Sequence, residues 1–107
     1  MNSILKRILS LVSQGEVRVS EHGYDDLASD EIFVRDLTAG LPRGELLEAY
    51  PDFPKGPCVL ILQQDRGGKP VYVVWGIPKG KSGPAVLVTA YRPDPKRWTE
   101  DFRSRKT

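Results

Sequence analysis

The sequence predicts an α+β domain, and three observations carry that expectation. Residues 1–40 show helical stripes broken by one short alternating run, whereas from Glu45 onward strand-like runs are separated by Gly and Pro without a helical period. The length of 107 residues leaves room for one domain and not two. The expected order is an N-terminal helix, a short strand, two short helices and then an antiparallel β-meander of three to four strands.

Each element has a local reason. Ile4, Leu5, Ile8, Leu9, Leu11 and Val12 form a stripe over residues 3–13, with Asn2 or Ser3 able to cap the first turn and Gly15 to end it. Residues 16–20, Glu-Val-Arg-Val-Ser, alternate polar and apolar with period two, the pattern of a half-buried strand. Ser20 can cap a helix over 21–28, and Ser29 precedes Asp30 and Glu31, whose charges suit the positive end of a second helix running to Ala39. Gly40 and Pro42 close it. Strand-like runs follow at 46–50, 58–63, 71–77 and 85–91, joined by Asp65-Arg66-Gly67-Gly68 as a tight hairpin and by a longer loop over 78–84. Two of them, Val59-Leu60-Ile61-Leu62 and Val71-Tyr72-Val73-Val74-Trp75, are apolar at successive positions, which suits a sheet with helices on one face and loops or a partner on the other. Residues 1–15 read as a helical extension, 16–98 as the domain and 99–107 as a charged tail.

Composition narrows the chemistry. Hydrophobic residues at 39% and charged residues at 28% are too apolar for a disordered chain and too polar for a membrane protein. The first apolar run is too short to span a bilayer and has no cleavage pattern after it. A single cysteine, Cys58, excludes an intrachain disulfide and points to a reducing, cytoplasmic setting; with one histidine, no single-chain zinc site and no cofactor are expected. Cys58, among apolar neighbours, reads as an inert core residue.

The net charge of +2 conceals a division: residues 1–15 carry +2, residues 16–52 carry −7 and residues 53–107 carry +7. A basic, aromatic-bearing half can bind a polyanion such as RNA, and equally it can be a solvated surface. Opposed halves of two copies can also meet, which would give a homo-oligomer.

Two constellations carry candidate chemistry. His22, directly after the first strand, is the one side chain whose ordinary pKa lies near neutrality, so it suits a general base; its structural alternative is a bond to a backbone carbonyl at the strand-to-helix corner. The run Tyr91-Arg92-Pro93-Asp94-Pro95-Lys96-Arg97-Trp98 holds cations on a backbone fixed by prolines, suited to a phosphate clamp. Metal-free RNA cleavage needs a base, a cation and an acid, roles open to His22, Arg92 and Tyr91 or Tyr50, with Lys96, Arg97 and Tyr50 as RNA contacts. The alternative has Trp98 sealing the sheet edge and the cations in solvent. Adjacent Asp25 and Asp26 diverge on a helix and form no carboxylate pair, and the Lys-Ser ending of the 76–82 loop lacks the spacing of a nucleotide-triphosphate loop.

The stretches Val17-Arg18-Val19-Ser20-Glu21-His22-Gly23-Tyr24, Asp30-Glu31-Ile32, Glu45-Leu46-Leu47-Glu48-Ala49-Tyr50-Pro51, Lys69-Pro70-Val71-Tyr72-Val73-Val74 and Val88-Thr89-Ala90-Tyr91-Arg92-Pro93-Asp94, with Trp98 close by, resemble the bacterial domain-of-unknown-function family 4258 over residues 16–98. That family is similar in layout to RelE-type toxins, small ribonucleases with helices on an antiparallel meander. The resemblance implies a cytoplasmic, metal-independent endoribonuclease acting on RNA or the ribosome and held by a cognate antitoxin. The alternative is a non-enzymatic protein-binding or regulatory domain.

Overall fold

Asn2 opens the first helix: its side-chain oxygen accepts from the amides of Ile4 at 2.8 Å and Leu5 at 3.2 Å. The computed structural model describes residues 2–93. Helix α1 (Ser3–Ser13) buries Ile4 and Ile8 in the main core, so this segment belongs to the domain interior. A turn at Gly15, with φ +76°, leads into β1 (Val17–Val19).

Ser20 caps α2 (Glu21–Ser29), accepting from the Gly23 amide at 2.9 Å. The second helix of this pair starts later than the sequence suggests. Asp30 ends α2, Glu31 takes a left-handed φ of +54°, and the Ile32 amide donates back to the Leu27 carbonyl at 2.9 Å. The reversal swings Ile32 into the core, so α3 (Val34–Gly40) begins four residues beyond Asp30. Burial of one isoleucine outweighs the preference of Asp30 and Glu31 for a helix start. A 3₁₀ turn (Leu41–Arg43) follows.

Strands β2 (Glu45–Tyr50), β3 (Cys58–Gln64), β4 (Pro70–Gly76) and β5 (Ala85–Tyr91) pair in succession, each antiparallel to the next. The sheet is nevertheless five-stranded and mixed, in the order β1-β5-β4-β3-β2, because β1 joins β5 in parallel with Val17 opposite Ala85 and Val19 opposite Leu87. The expected sheet of three to four antiparallel strands is corrected in that respect. An alternating tripeptide carries no signal for a partner so distant along the chain.

The helices share one face of the sheet. Ile8, Leu27, Leu37 and Leu41 close there over Val59, Ile61, Val73, Trp75 and Leu87. Among the described residues one buried polar side chain enters this layer: Gln63, 2% exposed, donates to the Leu37 carbonyl at 2.8 Å and accepts from the Trp75 indole at 2.9 Å. Both halves of its amide are satisfied, which makes its burial tolerable and fixes the end of α3 against β3. On the opposite face Leu60 and Tyr72 are buried, with Leu47, Leu62, Val74 and Tyr91 half-buried around them.

Candidate functional site

Helix α2 lies along β5, and the chemistry is arranged at its two ends. At the first end Ser20 serves both elements, accepting from Gly23 and donating its hydroxyl to the Val88 carbonyl at 2.8 Å. Gly23 permits the approach: a Cβ there would lie 2.9 Å from the Leu87 carbonyl oxygen. This seat fixes the start of α2 and with it His22, whose side chain is 75% exposed. Its Nε2 lies 3.1 Å from Oδ2 of Asp26, one helical turn on, and the same oxygen accepts the hydroxyl of Thr89 from β5. The carboxylate thus holds the imidazole at one nitrogen and leaves Nδ1 toward solvent, as an acceptor when Nε2 carries the proton.

At the other end Asp30 accepts the backbone N–H of Arg92 at 3.1 Å. The guanidinium of Arg92 turns to the β3–β4 hairpin, where it meets Asp65 at 2.8 Å and donates to the Pro70 carbonyl at 3.4 Å. Burial pushes the Asp65 carboxyl up, but the Lys69 amide, the Arg92 guanidinium and the Gly67 amide together hold it below the ordinary carboxylate value. His22 and Asp30 are eight residues apart, about 12 Å along a helix axis. The structure therefore does not bring His22 and Arg92 together: the histidine is open to solvent, and the arginine is part of the framework.

The remaining expected residues separate in the same way. Tyr91 packs its ring against Tyr72 with centroids 5.4 Å apart and stands in register with Tyr72 and, beyond it, Leu62. Tyr50 belongs to the opposite end of the sheet, opposite Cys58 on edge strand β2, and its hydroxyl donates to Glu48. Lys96, Arg97 and Trp98 lie outside the described residues. Cys58 is buried, and desolvation pushes its thiol up, consistent with an inert core residue.

One grouping escapes the sequence. Arg35 of α3, Arg43 of the 3₁₀ turn and Arg66 of the hairpin line an open cleft of about 290 Å³, together with Asp36, Gly40 and Asp65. Two of these arginines come from the acidic segment and one from the basic segment, so the division of charge along the chain is not preserved here. Their convergence depends on α3 reversing onto β3, which no spacing reveals.

The fold and these sites define a small α+β domain with an exposed carboxylate-held histidine at the start of a sheet-packed helix. Residues 19–92 match the family described as a domain of unknown function (DUF4258), and the chain belongs to that family. The match begins at the last residue of β1 and leaves α1 outside it. No curated protein and no solved structure matches the chain. Among the described residues no helix is long and apolar enough to cross a membrane.

Proposed function

We propose that the domain is a RelE-like, toxin-type endoribonuclease that works without a metal, with His22 as its proton-transfer residue. The observation that carries this reading is the exposed imidazole held through Nε2 by Asp26, itself bonded to Thr89. In that role Nδ1 takes the proton of an RNA 2′-hydroxyl, and the freed oxygen attacks the adjacent phosphorus as the bond to the 5′-oxygen breaks. That oxygen takes a proton from water and the imidazolium returns its own to solvent, leaving a 2′,3′-cyclic phosphate. Arg92 and Tyr91 act away from the scissile phosphate, while Lys96, Arg97 and Tyr50 contact RNA. A cytoplasmic location and a cognate antitoxin belong to the same reading.

Pure protein is incubated with free RNA and with translating ribosomes beside the His22→Ala variant, whose exposed position leaves folding nearly unchanged. Cleavage by the wild type alone is expected. Intact RNA with the wild type on both substrates sinks the proposal.

A second reading, a non-enzymatic protein-binding or regulatory domain, draws on a different observation. Arg92 is committed to Asp65, Pro70 and Asp30, and Glu21 and Asp25 give the surface beside His22 a negative cast. Such a surface favours a basic protein segment over an RNA strand. Stable capture of a protein partner by His22→Ala and wild type alike, with no RNA cut by either, selects this alternative.

A further inference from the structure

The cleft between α3 and the β3–β4 hairpin is lined by three cationic side chains, Arg35, Arg43 and Arg66. Its walls are fixed. Gln63 pins the Leu37 carbonyl, and Gly40 lets the end of α3 approach β3 so closely that a Cβ would sit 3.0 Å from the Gln64 carbonyl oxygen. Arg35, Arg43 and Arg66 therefore project around one concavity from three separate elements.

The carboxylates present are already engaged. Asp65 is held by Arg92 at 2.8 Å and by the Lys69 amide at 2.9 Å, and Asp36 faces Arg66 at 3.6 Å. Among the described residues Arg35 and Arg43 have no carboxylate partner. The contact of Arg66 with Asp36 is long and its side chain 73% exposed, so it is weakly held and can share its donors between Asp36 and an entering anion. The lining sets three guanidinium groups against the carboxylates of Asp36 and Asp65, which leaves a net positive charge facing the cleft for an anion to neutralise.

The chemistry of the lining selects the anion. Guanidinium groups offer planar forks of donors that match phosphate oxygens. At about 290 Å³ the cleft lies just below the roughly 300–1,000 Å³ range of ligand sites, a size for a small group and not for a large cofactor. At its margin Arg35 sits 5.5 Å from the ring of Phe33, which is 59% exposed. An aromatic ring open to solvent beside a cationic cleft suits a nucleobase next to its phosphate. We propose that this cleft binds the phosphate of a nucleotide, gripped by Arg35, Arg43 and Arg66, with Phe33 stacking on the base.

The site stands apart from His22, and the proposal does not rest on RNA cleavage: a domain that cuts nothing still binds phosphate here. Two sources share this chemistry, a phosphodiester within single-stranded RNA and the terminal phosphate of a free nucleotide.

The test uses the full chain at low salt, with a fluorescein-labelled oligoribonucleotide followed by anisotropy and AMP followed by calorimetry. The double variant Arg35→Gln/Arg43→Gln is compared with Lys79→Gln/Lys81→Gln, which removes the same charge from the β4–β5 loop. The arginine variant is expected to bind about tenfold more weakly, with the slope of log affinity against log salt shallower by about one to two, while the lysine variant changes little. Phe33→Ala is expected to weaken binding by several fold with an unchanged salt slope. Binding of the oligoribonucleotide alone assigns the phosphodiester; binding of AMP as well assigns a terminal phosphate. Wild-type protein that binds neither probe, or equal losses in the arginine and lysine variants, overturns the proposal. RNA cleavage by an arginine variant that still binds normally removes the cleft and leaves the His22 reading intact.

Discussion

The indole N–H of Trp75 donates to the side-chain carbonyl of Gln63 at 2.9 Å, deep between the helices and the sheet. The other half of that amide reaches the Leu37 carbonyl at 2.8 Å, so one side chain joins β4, β3 and α3. Replacing Gln63 by Leu keeps similar bulk but strands the buried indole donor of Trp75, while the Leu37 carbonyl keeps the Leu41 amide. A stranded buried donor costs about 1–3 kcal/mol, and the variant is expected to lose about that much in urea unfolding. Trp75→Phe, which removes that donor but opens a cavity, is expected to cost less in the Gln63→Leu background than in the wild type. A change within 0.5 kcal/mol, the ordinary range of surface substitutions, contradicts the role assigned to Gln63.

Asp65 gives a pH-dependent prediction. Its folded carboxyl is held below the ordinary value of 3.8, so the ionised form supports folding at neutral pH. That contribution is complete above the unfolded value and disappears as the pH falls through the lower folded value. Asp65→Asn is therefore expected to be less stable than wild type at pH 7, and the gap is expected to narrow below pH 3.8. Urea titrations at several pH values measure it, and a gap of constant size denies Asp65 its ionic partnership with Arg92.

Two glycines with positive φ separate strain from collision. Gly56, at φ +131°, is buried, and a Cβ there would lie 2.0 Å from the Ile77 carbonyl oxygen; Gly15, at φ +76°, has nothing within 4 Å. Gly15→Ala is expected to cost about 1 kcal/mol, the penalty of left-handed backbone alone. Gly56→Ala meets backbone that cannot yield and is expected to cost about 3 kcal/mol or more, enough to lower the yield of folded protein. Thermal melts of the two variants give the comparison, and equal losses refute the steric argument.

What the sequence revealed was local. Asn2 and Ser20 mark the starts of α1 and α2 because a capping hydroxyl or amide acts within a few residues, and Asp65-Arg66-Gly67-Gly68 marks a hairpin for the same reason. The start of α3 was hidden, since it turns on Ile32 reaching a core that exists only after folding. The pairing of β1 with β5 was hidden too. At the candidate site the prominence of His22 was legible from its rarity, whereas the bond of Thr89 to Asp26 and the engagement of Arg92 by Asp65 join residues far apart in the chain. The arginine cleft lay across the boundary between segments of opposite net charge, where adding up charge along the chain conceals it.

The parallel seam between β1 and β5 also bears on how the protein is made. Val17 leaves the ribosome 68 positions ahead of Ala85, the residue it must lie beside. The hairpins from β2 to β5 can close as they emerge, but β1 and the α2 segment that carries His22 have to wait for the last strand. The bond between Asp26 and Thr89 that steadies the partner of His22 therefore cannot form until β5 is present. A domain assembled in this order can seat α2 only after β5 has emerged.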